Sequence, residues 1–74
     1  MTTTGEYRVG IDFNPSGNET VAKIKQAAAD LIDMIEDIEV GDIEDIGRLK
    51  ALAMTHIEDA AMWAVKAATK KPMA

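Results

Sequence analysis

Apolar residues fall into two periodic tracts separated by a short polar break that contains glycine. In the first tract Val21, Ile24, Ala28, Leu31, Ile35 and Ile38 recur at intervals of 3, 4, 3, 4 and 3. Residues three and four apart share one face of an α-helix, so this spacing predicts a helix over about 19–39 with an apolar seam of heptad type. Ala27, Ile32 and Met34 widen the apolar surface beyond that seam. The second tract carries two stripes at helical spacing. One is Ile46, Leu49, Ala53, Ala60, Ala64 and Ala67; the other is Met54, Ile57, Ala61, Val65 and Ala68. It predicts a second helix that starts near Ile43 or Gly47 and ends near Thr69. Gly41 suits the left-handed position that closes a first helix, and Asp42 and Asp45 are candidate caps for the second. Lys70 and Lys71 suit its C-terminal end, with Pro72 just past the stop. So short a break folds the two helices back as an antiparallel pair.

The residues ahead of the first helix read differently. Residues 1–18 hold three of the five glycines and one of the two prolines. Residues 7–13 alternate loosely and are expected to be extended, and 14–18 (Asn-Pro-Ser-Gly-Asn) is a dense turn signal. Ser16 and Asn18 can each cap the helix that follows. The expected fold class is all-α. It is one domain over 1–74, an antiparallel two-helix hairpin with a short N-terminal arm: 1–18 arm and turn, 19–40 first helix, 42–70 second helix.

At 74 residues the chain buries a modest core, and chains this short usually need a staple. Cysteine is absent and His56 is the sole histidine, so neither disulfides nor a structural zinc site can serve. Assembly with further copies remains, and two-faced helix two points the same way, since a hairpin offers it one neighbour. A hydrophobic fraction of 47% places the chain among folded proteins. Aromatics are limited to Tyr7, Phe13 and Trp63. Residues 1–10 lack the basic start and apolar run of a signal peptide, and no apolar stretch approaches the ~20 residues that span a membrane. The expected location is therefore cytoplasmic, with no membrane partner.

Net charge is −5, which argues against binding DNA or RNA polymers. The distribution says more than the sum. Between residues 30 and 45 lie Asp30, Asp33, Glu36, Asp37, Glu39, Asp42, Glu44 and Asp45, with no basic residue among them. Lys23, Lys25, Lys66, Lys70 and Lys71, with Arg8 just before, gather at the other end of an antiparallel hairpin. A helix of about 20 residues separates the two ends by ~30 Å. Charges that far apart are screened from each other at a Debye length of ~8 Å. A local cationic site beside Tyr7, Arg8 and the 14–18 turn is thus compatible with an acidic protein. The competing reading is that these lysines complement the helix dipole and solubilise the terminus.

Catalysis finds little support. Ser16, the single serine, reads as a cap, and no nucleophile is paired with His56, which reads as an interfacial hydrogen-bonding residue. Phosphate loops and dinucleotide-binding motifs are absent. Asp30, Asp33 and Asp37 fall at helical spacing, a weak case for magnesium. The expectation is no enzyme activity, no cofactor and no metal. Trp63, deep in an apolar run, reads as a core or interface anchor. Arg48 either pairs with nearby acids or, around a symmetry axis, joins its copies on an anion.

Two ordered runs carry a family resemblance. One is Asn14-Pro15-Ser16-Gly17-Asn18, then Val21-x-x-Ile24-Lys25 and Ala28-x-x-Leu31-Ile32-Asp33. The other is Arg48-x-x-Ala51-Leu52-Ala53-x-Thr55-x-Ile57-Glu58-x-Ala60-x-Met62-Trp63-x-Val65-Lys66. Together they resemble the helical-hairpin domain of phage cyclic-nucleotide sponges, which counter the bacterial defences CBASS and Thoeris, over about residues 7–71. The resemblance implies a non-catalytic homo-oligomer, a hexamer of hairpins, acting in the cytoplasm of the infected host. It implies pockets shared by two protomers that hold cyclic dinucleotides intact, and in some members separate pockets for cyclic trinucleotides where three protomers meet. Tyr7 best matches the aromatic that stacks on a base, and Lys23, with Lys25 as the alternative, the lysine that meets phosphate from the other protomer. Arg8, Asn14, Asn18 and Lys66 complete the expected dinucleotide site. Arg48, with Thr55, best matches the trinucleotide pocket. The longer N-terminal region of Thoeris-directed relatives has no counterpart here, which favours the CBASS-directed type over one that takes cyclic ADP-ribose isomers.

Overall fold

A computed structural model of the chain describes residues 2–73. The described residues form three helices and no strand: α1 Thr4–Val9, α2 Glu19–Glu36 and α3 Ile46–Thr69. Helices α2 and α3 are the antiparallel pair expected from the two periodic tracts. The arm differs from expectation. Its first half is not extended but helical, and it is held by its ends. Thr3 Oγ1 accepts from the Glu6 amide at 3.1 Å, while the Thr3 amide donates to Glu6 Oε1 at 2.9 Å, a reciprocal capping box. Gly10, at φ 63°, closes the helix in the left-handed region.

Helix α2 starts where its cap is strongest. Asn18 Oδ1 accepts from the Val21 amide at 3.0 Å, so Asn18 and not Ser16 is the cap. The helix ends at Glu36, short of the expected 40. Acidic residues crowd that end and no basic residue lies in the last turn, which opposes the helix dipole. Lys50 of α3 answers the defect by donating from Nζ to the carbonyl oxygens of Glu36, at 2.9 Å, and Ile38. Gly41 does take a positive φ of 58°, but in the connecting turn and not at the helix end. Asp45 occupies the N-cap position of α3 without a side-chain hydrogen bond, and the helix begins at Ile46.

The inward ridge of α2 is Val21, Lys25, Ala29 and Ile32, one step round from the seam that periodicity alone suggests. Leu31 and Ile38 of that seam stay exposed. From α3 the second stripe faces in: Met54 and Ala61 are buried, and Ile57, Val65 and Ala68 half-buried. The first stripe leaves Leu49 exposed. Full burial of Val21 and Ile32 contributes roughly 1.5–3 kcal/mol each. Helix α1 lies against α2 at very close range. A Cβ at Gly5 would fall 2.0 Å from the Ala29 carbonyl oxygen, so only glycine fits. The Gly5 amide donates to Asp33 Oδ1 at 2.7 Å, tying the start of α1 to the last turn of α2.

Candidate functional site

Docking α1 on the hairpin creates a half-open cleft of about 430 Å³, lined by Tyr7, Arg8 and Gly10 of the arm, Phe13 after it, Lys25 of α2, and Met62 and Val65 among the α3 residues. That size lies within the usual range for small-molecule sites, roughly 300–1,000 Å³. Tyr7 is 82% exposed at its edge, because the Gly5 contacts with Ala29 and Asp33 commit the opposite side of α1 to the hairpin. A second, smaller cleft also has Tyr7 and Phe13 in its wall.

The charges are placed less simply than the sequence reading expects. Arg8 Nε donates to Glu58 Oε2 at 2.8 Å, and Arg8 Nη2 reaches Thr55 Oγ1 at 3.4 Å. Arg8 is therefore beside the middle of α3 and not at its end. Helical rise puts Lys70 about 18 Å further along from Glu58, beyond a Debye length of ~8 Å. Lys70 and Lys71 accordingly contribute little field on the Arg8 side of the cleft, whereas Val65 of its wall lies only about 7.5 Å along the helix from Lys70. Lys25 is 7% exposed, and its ammonium donates to the carbonyl oxygens of Gly10, at 2.9 Å, and Phe13. It also lies 5.4 Å from the centroid of the Phe13 ring. Both cations that line the cleft are thus already hydrogen-bonded within the chain. Lys23 is exposed on α2 and is not part of the cleft wall of its own chain. Lys66, also exposed, holds its Nζ 5.3 Å from the Trp63 ring centroid.

Asn14 and Asn18 work in the turn. Asn14 Nδ2 donates to the Asn18 carbonyl at 2.8 Å and its Oδ1 accepts from the Asn18 amide at 3.1 Å, while Asn18 caps α2. Arg48 is exposed at the start of α3. Thr55, seven residues on along α3, accepts from Arg8 Nη2 at 3.4 Å. Trp63 is 61% exposed, so within one chain it anchors no core. Among the described residues no three acidic or histidine side chains converge where they could hold a metal ion, and Asp33 is engaged with the Gly5 amide. Among them, too, no helix is long and apolar enough to cross a membrane.

Two parts of the site escaped the sequence reading. Helix α1 has six residues, too few for periodicity, but Thr3-x-x-Glu6 is a capping-box signature that announces it. Phe13 lines the cleft without having been singled out. The signal for it was an aromatic placed at the mouth of a turn, in a chain with so few aromatics.

Fold and cleft together define a helical hairpin with a short helix folded over one face to make a small-molecule-sized recess. Residues 6–69 match the family model described as Acb2/Tad1, hairpin domain. The chain belongs to that family, which is the sponge family its motifs resemble, and the family's general role is that of a cyclic-nucleotide sponge. No curated protein and no solved structure matched the chain.

Proposed function

We propose that this protein is a non-catalytic sponge that binds cyclic oligonucleotide second messengers and releases them chemically intact, blocking CBASS immunity in the cytoplasm of an infected bacterial host. Cyclic dinucleotides such as cyclic GMP-AMP are the leading ligands. The observation that carries the reading is the family match over nearly the whole chain, residues 6–69. The cleft supports it physically: an exposed tyrosine stacks on any purine, and an apolar wall shields the base.

Sequestration demands nanomolar binding or better, about 12 kcal/mol. A half-open recess on one chain encloses too little of a ligand for that. The phosphates also need donors, and within one chain Arg8 is already paired with Glu58 while the buried Lys25 gives two of its three N–H groups to backbone carbonyls. Lys23 is exposed and lies off its own chain's cleft, which favours a pocket completed by the Lys23 of a second copy. A separate trinucleotide site at a three-fold meeting of copies would draw on Arg48, with Thr55 keeping its place beside Arg8.

The test is a thermal-shift and calorimetric panel of cyclic dinucleotides, cyclic trinucleotides and cyclic ADP-ribose isomers, with bound ligand recovered after denaturation. A tight cyclic dinucleotide recovered unaltered is the expected result. Tyr7→Ala and Lys23→Ala should each abolish that binding with the oligomer intact. Preference for cyclic ADP-ribose isomers would redirect the protein to Thoeris. Conversion of the ligand would make it an enzyme, and silence across the panel would leave a helical protein-interaction module.

A further inference from the structure

We propose that Phe13 is a second aromatic platform in the cleft, contacting one base of a bound cyclic dinucleotide while Tyr7 contacts the other. The inference rests on the sponge reading and deepens it. Phe13 is 72% exposed, yet it is not loose. Its amide donates to the Gly10 carbonyl at 2.9 Å, and its own carbonyl accepts from the Lys25 ammonium, which also lies 5.4 Å from the ring centroid. The turn is made through the backbone of Phe13, so the fold has no need of the ring. A smaller or polar side chain would serve the turn equally well and would not expose an aromatic to water.

The ring sits where a ligand would meet it. Phe13 lines the main cleft with Tyr7, the smaller cleft with Tyr7, and a third recess of about 310 Å³ with Asn14, Pro15 and Val65. Burying a lysine is costly unless its ammonium is fully engaged. Here that engagement fixes the 10–13 turn and nothing else: its two hydrogen bonds go to Gly10 and Phe13. A preorganised, exposed aromatic beside a second exposed aromatic matches a ligand with two bases, since stacking accepts either purine face without reading its edges.

The experiment uses the full chain in its native assembly with 3′,3′-cyclic GMP-AMP as probe. Calorimetry compares Phe13→Leu, which keeps apolar bulk, with Phe13→Tyr, which keeps the ring. Loss of one stacking partner should weaken binding on the order of 10-fold or more in Phe13→Leu, whereas Phe13→Tyr stays within roughly threefold of the parent. A cyclic dinucleotide carrying 2-aminopurine reports stacking directly: its fluorescence quench on binding should shrink in Phe13→Leu and persist in Phe13→Tyr. Light scattering measures the assembly in parallel. Parent-like affinity and quench in Phe13→Leu would overturn the inference and leave the sponge reading standing. A changed oligomeric mass in Phe13→Leu would overturn it in favour of a ring buried between copies. No binding by the parent protein would instead overturn the sponge reading itself.

Discussion

Glycine at position 5 is set by a distance rather than by a dihedral angle. The Ala29 carbonyl oxygen occupies the space of any Cβ there, and the Gly5 amide donates to Asp33 Oδ1. Gly5→Ala must push α1 off α2 or shift the helix along it. Overpacking of this kind costs about 1–3 kcal/mol, and each kcal/mol lowers Tm by roughly 4–8 °C in a domain of this size. Gly47 is the control: it lies in α3 with no atom within 4 Å of its would-be Cβ. Gly47→Ala should leave Tm unchanged or raise it, because alanine is the better helix former by up to about 1 kcal/mol. Thermal unfolding of the two variants checks both signs, and equal effects would refute the close-approach account. Because α1 carries Tyr7, Gly5→Ala should weaken ligand binding as well.

At the scale of the element, two lysines do a job that usually falls to glycine or a polar cap. Lys25 closes the turn after α1 and Lys50 closes the end of α2, each through two backbone carbonyls. Lys25→Met keeps the length of the side chain and removes the donor. Amide hydrogen exchange should then accelerate across α1 and residues 10–13 while the α2–α3 interface keeps its protection; uniform acceleration would mean that Lys25 supports the whole fold. Lys50→Met should act in mirror fashion, loosening 37–45 and sparing α1. These roles mark the limit of what the sequence disclosed. The long helices were legible because 3.6-residue periodicity integrates over many positions, and the turn at 14–18 because its residues are turn formers. Periodicity could not tell which of two adjacent ridges of α2 faces inward. The buried ridge includes Lys25, which reads as polar until its carbonyl partners are seen, so the apolar seam visible in the sequence lies one step off the ridge that packs inward. Of the site, Tyr7 at an exposed edge was legible. The fold-back of α1 was not, and it carries Arg8 away from the terminal lysines to Glu58. The capping role of Asn18 was legible, whereas the pair of hydrogen bonds that ties Asn14 to the Asn18 backbone depends on local geometry.

The whole molecule is thin for its length. Its extents are 55 × 28 × 12 Å, and its radius of gyration is 14.3 Å, against about 11 Å for a compact domain of 74 residues. The hairpin itself is a single layer of two helices, covered on one face only where α1 lies against it. A single layer has no inside, and the buried apolar set is accordingly small: Val21, Ala29, Ile32, Met54 and Ala61. Large apolar side chains meanwhile remain on the surface of both helices, with Met34 67%, Met62 65%, Trp63 61% and Leu49 55% exposed. Scattered exposed apolar residues are ordinary; stripes of them along two helices of a chain with so little core are not. Folding is therefore expected to be coupled to assembly, with each copy lending its neighbours the second layer. Light scattering should give a mass several times that of one chain, and Tm should rise with protein concentration, as mass action requires when only the folded state associates. Leu49→Glu places a charge on the open stripe of α3, away from the α2 interface and from the cleft. It should lower the mass and Tm together, and weaken ligand binding only through loss of assembly. A parent chain that is monomeric at micromolar concentration with full helicity would overturn this account, and with it the argument that a second copy completes the cleft.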